Sequence, residues 1–152
     1  MSTVATILAK KGSEVASVSE STSVLDAARV MRERHIGSVV VLRGSTVVGI
    51  FTERDMLYRV VAEARNPAET QVGEMMTTPV TSCNPSSTLK ECASMMTNRR
   101  MRHIPVIENG TLTGIITSGD IIAYKVQHLE ETNVFLQEYL HGPQVELAEA
   151  SV

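Results

Sequence analysis

Two short motifs in the chain place a hydroxyl and a carboxylate three residues apart. Thr52 is followed by Asp55, and Thr117 by Asp120, each within Gly-Ile-x-Thr-x-x-Asp. In both, an apolar strand passes into a helix, where free backbone N–H groups and the hydroxyl are able to hold a phosphate. The carboxylate one turn into the helix is able to accept hydrogen bonds from the hydroxyls of a ribose. The two pairs therefore suit an adenine ribonucleotide.

The same spacing also has a purely structural interpretation. Thr-x-x-Asp resembles a capping box, in which the hydroxyl and the carboxylate satisfy backbone N–H groups at a helix start without any ligand. A single copy alone would favour capping. Two matched copies, within the family framework described below, favour nucleotide binding.

The only dense basic cluster of the sequence is the segment 98–103, which carries Arg99, Arg100, Arg102 and His103. It is a candidate for a nucleic-acid patch, a solvated helix end or a phosphate contact. The chain has a formal charge of −3 and only 3% aromatic residues, which argues against a nucleic-acid surface. We interpret the cluster as a phosphate contact, with the solvated helix end as the open alternative.

Composition excludes several classes of function. No apolar run approaches the roughly 20 residues that a membrane span needs, and the N-terminus lacks the basic and apolar regions of a secretory signal. Two cysteines, Cys83 and Cys92, are too few for a disulfide framework or a zinc site. The sequence contains no recognisable catalytic set of nucleophile and base, and no Gly-rich phosphate-binding loop. The sequence thus predicts a cytoplasmic protein that is not an enzyme, holds no metal and binds neither nucleic acid nor a membrane.

The two motifs belong to a longer internal repeat with an offset of 65 residues (120 − 55). The offset holds without a gap upstream, where Ala28 matches Ala93. A repeat of this length is a duplicated domain-sized unit rather than a solenoid step. It predicts a pseudo-symmetric pair of units at 1–65 and 72–127, a linker at 66–71, and a C-terminal helix and tail at 128–152.

Hydrophobic periodicity predicts the same order of elements in both copies. Apolar residues at helical spacing after Thr22-Ser23 and after Ser87-Thr88 indicate amphipathic helices. Two β-branched runs around a short turn follow each helix and indicate a hairpin, with Asn109-Gly110 as the second turn. The period becomes helical again from Arg54 and from Gly119. Short leading strands are predicted near 15–18 and 80–83, and a further helix from His128 to Leu140, ending at Gly142-Pro143.

This order, closed by Gly-Ile-x-Thr-x-x-Asp, resembles the CBS domain, which is named for cystathionine β-synthase. The resemblance covers about residues 3–127 and is strengthened by the run His103-Ile104-Pro105-Val106 in the second copy. The segments 4–8 and 72–76 are similar to the short helix that opens such domains, and the chain looks like the stand-alone bacterial type. The resemblance implies an α/β (α+β) fold: two tandem β-α-β-β-α units packed as a pseudo-twofold pair, plus a C-terminal helix.

In CBS pairs each nucleotide is shared between the two units, which implies two sites here. The first nucleotide-binding site would join Thr52, Arg54, Asp55, Thr81, Met101, Arg102 and His103. The second would join Ala16, Ile36, Gly37, Ser38, Thr117 and Asp120. Only the first has basic side chains, so we expect it to bind the phosphorylated end more tightly. The order Arg102 then His103 departs from the family, which leaves open which of the two reaches phosphate.

The resemblance implies a regulatory sensor of adenine nucleotides. AMP or ADP is the ligand expected first, and ATP, NAD and S-adenosyl compounds are further ligands of the family. Such a module modulates a partner or its own assembly. CBS pairs usually associate through their helices, so a homodimer and an unidentified regulated protein are the expected partners. The apolar positions suited to that interface, or to an internal core, are Val24, Val30, Leu57, Val60, Val61, Leu89, Ile121 and Ile122. The alternative is a ligand-free scaffold or oligomerisation module in which Thr-x-x-Asp only caps helices.

Overall fold

A computed structural model describes residues 2–141 of the chain. These residues form two units that divide between Ser118 and Gly119. Both hairpins belong to the first unit, whereas Asp120 belongs to the second. The predicted helix end at Gly142-Pro143 and the predicted tail at 144–152 lie outside the described residues.

Helices and strands alternate through both copies of the repeat. The first copy comprises α1 Val4–Lys11, β1 Ser17–Ser19, α2 Val24–Arg34, β2 Ser38–Arg43, β3 Thr46–Thr52, α3 Glu53–Asp55 and a π-helix at Met56–Val61. The second comprises α4 Val72–Met75, α5 Leu89–Arg99, β4 His103–Glu108, β5 Thr111–Thr117 and α6 Ser118–His141. The predicted mixed α/β fold, with small sheets and a C-terminal helix, is confirmed.

Hydroxyl caps fix the starts of the two long amphipathic helices. Ser23 Oγ accepts a hydrogen bond from Asp26 N at 3.1 Å and begins α2. Thr88 and Glu91 form a reciprocal capping box at the start of α5. The buried faces of these two helices consist of Val24, Ala27 and Met31 in α2 and of Leu89, Cys92 and Met96 in α5. Capping and periodicity together explain why these segments are helical.

The strands form two small sheets. In the first copy, β1 pairs with β2 in parallel and β2 pairs with β3 in antiparallel orientation, giving the order β1-β2-β3. In the second copy, β4 and β5 form a two-stranded antiparallel sheet. A bulge follows Val41 in one hairpin and Val106, its counterpart in the repeat, in the other. The duplication is therefore reproduced down to the irregularities of the hairpins.

The leading strand predicted near 80–83 is wrong in extent, because the structure has only an isolated bridge there, between Cys83 and Val106. In the first copy, Val40 N donates to Ala16 O at 3.0 Å and helps to hold β1 on the sheet. The matching residue of Val40 in the second copy is Pro105, which has no N–H to donate. The loss of this donor explains why the second leading strand is reduced to a single bridge.

The opening helix of each copy packs on the other copy. The N–H of Val4, at the start of α1, donates to Ser87 O at 2.9 Å, and the N–H of Val72, at the start of α4, donates to Thr22 O at 2.8 Å. Thr22 and Ser87 are matching positions of the repeat (87 − 22 = 65). The two copies therefore exchange their opening helices symmetrically.

The glycine that opens each motif leaves room for these helices. A Cβ atom on Gly114 would stand 2.7 Å from Leu8 Cδ2 of α1. A Cβ atom on Gly49 would overlap the side chain of Met76 and lie 3.1 Å from the carbonyl oxygen of Thr77. Gly49 is thus required by packing, because a side chain there would collide with Met76 and approach the backbone of Thr77, whereas at Gly114 the neighbouring atoms are the flexible end of Leu8.

Half of the apolar positions suggested for a dimer interface lie inside the chain instead. Val24, Val60, Leu89 and Ile121 are at most 4% exposed. Val24 and Val60 pack in one cluster with Phe51, so their removal from water already stabilises the single chain. For these four positions the structure has the internal core, which was the alternative to the interface. The positions that stay exposed are Leu57, Val61 and Ile122.

The C-terminal helix is longer than the sequence indicates. Two helical segments were expected, one from Gly119 and one from His128, but α6 runs unbroken from Ser118 to His141. After Gly119 this stretch contains neither Gly nor Pro, so no residue interrupts its backbone hydrogen bonds. Among the described residues, no helix is long and apolar enough to cross a membrane.

Candidate functional site

Thr52 and Asp55 form a complete capping box at the end of β3. Thr52 Oγ1 accepts a hydrogen bond from Asp55 N at 3.2 Å, and Asp55 Oδ2 accepts one from Thr52 N at 3.0 Å. The structural interpretation of Thr-x-x-Asp therefore holds in the first copy. Thr52 Oγ1 also donates to Asp55 Oδ2 at 3.2 Å, so two of the roughly four acceptor sites of the carboxylate serve the cap and the others do not.

The carboxylate of Asp55 also connects the two copies. It is 6% exposed, and its Oδ1 accepts a hydrogen bond from Thr77 Oγ1, just beyond α4, at 2.9 Å. Arg59 Nε lies 3.7 Å from the same oxygen. A buried carboxylate is stable only when it is paired and hydrogen-bonded, and these contacts provide both. Asp55 is thereby held in a fixed position beside the junction of the copies.

Beside this cap lies a cleft of about 530 Å³, within the size range of small-molecule sites. Residues of both copies line it, and all of them belong to the first unit. The first copy contributes Ile50, Thr52, Glu53, Arg54, Asp55, Leu57 and Tyr58. The second half contributes Thr77, Arg99, Arg100, Met101, Arg102 and His103. A ligand in this cleft would contact both copies of the repeat at once.

Charge in the cleft is predominantly positive. Its acidic residues are Glu53 and Asp55. Its basic residues are Arg54, Arg99, Arg100, Arg102 and His103. Four guanidinium groups against two carboxylates give the cleft a net positive charge, although the whole chain has a formal charge of −3. Such a cleft attracts anions and offers charge-assisted hydrogen bonds to a phosphate.

Two of these arginines are held in place by hydrogen bonds, and one of the bonds crosses the cleft. Arg54 Nη1 donates to the carbonyl oxygen of Arg100 at 2.7 Å, and so links α3 to the end of α5. Arg100 ends α5 in the left-handed conformation, with φ 53° and ψ 43°. Arg99 Nη1 donates to Thr81 Oγ1 at 2.8 Å. Because a guanidinium has five N–H donors, both Arg54 and Arg99 keep donors for a further acceptor.

One side of the cleft is apolar and aromatic. Leu57 and Tyr58, at the start of the π-helix, are 54% and 61% exposed and line the cleft together with Ile50 and Met101. A flat aromatic or aliphatic surface beside a basic patch suits a ligand with a base at one end and a phosphate at the other. The cleft therefore offers different surfaces for the two ends of a nucleotide.

Six of the seven residues predicted for the first site line this cleft. They are Thr52, Arg54, Asp55, Met101, Arg102 and His103. The seventh, Thr81, does not line the cleft. It accepts a hydrogen bond from Arg99, which does line it. The structure thus brings together segments that are about 50 residues apart in the sequence, which repeat spacing alone could not establish.

Comparison with protein families identifies the repeat. The family model of the CBS domain matches residues 6–62 and again residues 72–127. The chain belongs to the CBS domain family. The resemblance inferred from the sequence is confirmed, including the tandem arrangement of two CBS domains.

Several relatives of the CBS pair match it over most of their own length. The CBS domain-containing protein YhcV of Bacillus subtilis is 31% identical over 108 residues, which cover 71% of this chain and 76% of that protein. The solved structure of a protein with CBS domains from Burkholderia ambifaria MC40-6 has a TM-score of 0.80 at 38% identity, covering 83% and 95% of the two chains. A hexameric CBS-CP12 protein from bloom-forming cyanobacteria has a TM-score of 0.73 at 27% identity, covering 90% and 83%.

The family gives the general class of function. CBS pairs are in general regulatory modules that sense adenosine-containing ligands. The name of the Burkholderia ambifaria protein refers to signal transduction. Some CBS-pair neighbours are oligomeric, as the hexameric cyanobacterial protein illustrates.

Three residues predicted for the second site lie next to residues of the first. Ser38 is buried and pairs directly with Thr52 across the first hairpin, and Thr117 pairs with His103 across the second. A Cβ atom on Gly37 would lie 3.1 Å from Glu53 Oε1 and 3.5 Å from His103 Cε1. In the CBS pair, the predicted residues of both sites therefore meet at the same ends of the two hairpins.

The other residues predicted for the second site have structural surroundings of their own. The carbonyl oxygen of Ala16 accepts the hydrogen bond from Val40 N that holds β1. Ile36 is half-buried and packs against the core cluster of the first copy. Asp120 lies in the second unit, near the start of α6. The grouping of these residues into a nucleotide site stays a prediction.

Several lining residues were missed by the site prediction. Arg99 and Arg100 belong to the basic cluster that the sequence singles out, so charge density was the signal that could have included them. Leu57 was expected at an interface or in a core, and Tyr58 was not singled out. Thr77 gives no signal in the sequence, because its bond to Asp55 depends on how α4 packs against the first copy. Among the described residues, no group of His, Cys, Asp and Glu is arranged to hold a metal ion.

Proposed function

We propose that this CBS pair is a regulatory module that binds an adenine nucleotide in the basic cleft and reports its level through a partner or through its own assembly. The observation that carries the proposal is the meeting of Arg54 with the basic end of α5 beside the Thr52–Asp55 cap. AMP is the ligand we expect first, with ADP, ATP or NAD as further ligands.

The proposed phosphate position is among the guanidinium groups. Arg102 is exposed and directly precedes β4. Arg54 and Arg99 each keep N–H donors beyond the hydrogen bonds that they already make. Guanidinium groups recognise phosphate through charge-assisted hydrogen bonds, which are about twice as strong as neutral ones. The excess of positive charge in the cleft supports a ligand with at least one phosphate.

The proposed positions of ribose and base follow from the neighbouring groups. Asp55 is fixed by Thr52 and Thr77, so its carboxylate is already oriented to accept from a ribose hydroxyl. The carbonyl of Thr81 does not receive the strand bond that its counterpart Ala16 receives, because Pro105 has no N–H. An adenine amino group would find an acceptor there. Within the cleft itself, the apolar surface at Leu57 and Tyr58 is the proposed contact of the base.

Calorimetry with AMP tests this assignment. Changing Arg102→Ala together with His103→Ala removes two basic groups of the cleft, and we expect the affinity for AMP to fall by at least about tenfold. Arg32→Ala removes an exposed arginine of α2 that does not line the cleft and serves as the control. Equal affinity of the double variant and the parent chain would show that the phosphate binds elsewhere.

A ligand-free scaffold is the second candidate function, and the complete capping box favours it. Thr52 and Asp55 satisfy each other's backbone groups without any ligand. Thermal melting with AMP, ATP and NAD separates the two functions, because a ligand that binds the folded state raises the melting temperature. A melting temperature that no adenine compound changes would favour the scaffold.

The proposal extends to assembly and location. We propose a homodimer in which the exposed apolar residues of the π-helix, Leu57 and Val61, contribute to the contact. The regulated partner protein is not specified by any residue described above. A cytoplasmic location belongs to the same proposal, since Cys83 and Cys92 are both free thiols, as expected in a reducing compartment.

A further inference from the structure

Helix α6 carries large apolar side chains that are exposed to solvent along most of its length. They are Ile122, Val126, Leu129, Val134, Phe135, Leu136, Tyr139 and Leu140, each at least 48% exposed. Helices in proteins owe most of their stability to packing of an apolar face. The exposed face of α6 therefore requires a partner.

The spacing of these residues specifies the kind of partner. Steps of four and three residues alternate along one face of α6, which is the a/d pattern of a coiled coil. We define the α6 stripe as Ile122, Val126, Leu129, Asn133, Leu136 and Leu140. Positions d of the heptad are Ile122, Leu129 and Leu136, and positions a are Val126, Asn133 and Leu140.

The one polar member of the α6 stripe selects a second copy of the same chain. Asn133 occupies an a position in the middle of the stripe. In a parallel pair of identical helices, position a meets position a, so the amide of Asn133 faces its own counterpart and is hydrogen-bonded. In an antiparallel pair, it would face an apolar d residue and leave its amide without a bonding partner.

Charges beside the stripe support the same arrangement. Lys125 occupies a g position, and Glu130, five residues later, occupies the next e position. A parallel in-register pair brings Lys125 of each helix beside Glu130 of the other, so two opposite-charge pairs flank the core. On the outer face, Gln127 Nε2 donates to Glu131 Oε1 within the same helix at 3.2 Å. Polar groups thus occupy part of the outer face, where Val134 and Phe135 also lie.

We propose that α6 forms a parallel two-stranded coiled coil with α6 of a second copy of this chain. The contact differs from the interface of the CBS units proposed above and does not depend on a nucleotide. Val134 and Phe135 lie outside the α6 stripe although they are 55% and 66% exposed. They therefore provide matched controls on the same helix.

Disulfide cross-linking of the full chain tests the register and the direction of the pair. With an interaxial distance of about 10 Å and a Cα radius of about 2.3 Å, directly facing a positions bring Cα atoms within about 5 Å, which suits a disulfide. Asn133→Cys should give a covalent dimer on a non-reducing gel after oxidation with oxidised glutathione. Phe135→Cys, on the outer face, should form no disulfide between the chains and should run as a single chain on the same gel. Equal cross-linking of both variants, or none of Asn133→Cys, would overturn the proposal.

Sedimentation of the full chain tests the energetics. Leu129→Lys with Leu136→Lys places like charges in the core and should raise the dissociation constant of self-association at least about tenfold. Val134→Lys with Phe135→Lys adds the same charge outside the stripe and should leave it unchanged. Lys125→Glu should weaken association by about threefold, and adding Glu130→Lys should restore it. If the Leu129/Leu136 variant associates as tightly as the parent chain, the proposal is wrong.

Discussion

At the scale of residues, the same atoms of Thr52 and Asp55 serve as a helix cap and as candidate ligand groups. The cap fixes both side chains, and Thr77 fixes the carboxylate from the other copy. A nucleotide would therefore not have to order these groups on binding, which reduces the conformational entropy lost in the complex. Capping and binding are compatible functions of one motif, and the presence of one does not count against the other.

The two cysteines make a residue-scale prediction about pH. Burial and the adjacent Cys92 thiol raise the pKa of the Cys83 thiol to about 12, and burial also raises the pKa of Cys92. Both thiols therefore stay protonated in the folded chain over a range where the unfolded chain, with an ordinary cysteine pKa of about 8.5, releases protons. The contribution of these thiols to the free energy of unfolding should be fully present below the unfolded pKa of about 8.5 and should be lost as pH rises towards 12. Because thiolates react and thiols do not, alkylation of the native chain near neutral pH should be slow.

Urea denaturation across this pH range, followed for the parent chain and for Cys83→Ala, measures the effect. The variant starts from a lower stability because it leaves a small cavity. Its stability should nevertheless fall less steeply with rising pH, since one of the two titrating thiols is gone. Parallel curves for the two proteins would contradict the assignment.

At the scale of elements, the sequence predicted what periodicity and caps determine. Hairpins and long amphipathic helices have strong repeating patterns, and both copies of each are present. The prediction of a second leading strand was wrong in extent because Pro105, on the neighbouring strand, has no N–H to donate. No local pattern at 80–83 reveals the loss of this donor. A π-helix of six residues at Met56–Val61 cannot be distinguished from an α-helix by apolar spacing over so short a stretch.

The candidate site was predictable to the extent that the repeat and the family framework align its parts. Six of seven residues of the first site line one cleft because the motif and the basic cluster are both visible in the sequence. Arg99 and Thr77 were omitted because their contacts, to Thr81 and to Asp55, depend on packing between distant segments. Charge and spacing indicate which segments meet, whereas the partner of each side chain requires the tertiary structure.

The exchange of opening helices makes an element-scale prediction at the two motif glycines. Gly49→Ala would drive a Cβ into Met76 and close to the backbone oxygen of Thr77, which cannot move aside easily. Gly114→Ala meets only the flexible end of Leu8. We expect Gly49→Ala to lower the free energy of unfolding by about 1–3 kcal/mol, the usual cost of overpacking, and Gly114→Ala to lower it less. Urea denaturation of both variants measures the difference, and the reverse order would contradict the packing described here.

At the scale of the whole molecule, the duplication has matching hairpins but asymmetric charge. Arg102 and His103 of the second copy correspond to Gly37 and Ser38 of the first, and Arg54 corresponds to Gly119. Hairpin registers, bulges and opening helices repeat between the copies, whereas the basic side chains gather at one cleft. A chain that is acidic as a whole therefore concentrates its positive potential at one place.

This asymmetry predicts how binding depends on phosphate and on salt. If guanidinium groups hold the phosphate, AMP should raise the melting temperature more than adenosine at equal concentration, because both share the base and ribose and only AMP carries the charge. Adding salt should reduce the advantage of AMP, since salt screens charge interactions at an open cleft, and should leave the smaller effect of adenosine nearly unchanged. Arg54→Ala should reduce the difference between the two ligands, whereas Arg32→Ala, on the exposed face of α2, should not. An equal effect of adenosine and AMP at low salt would show that the basic cleft does not bind the phosphate.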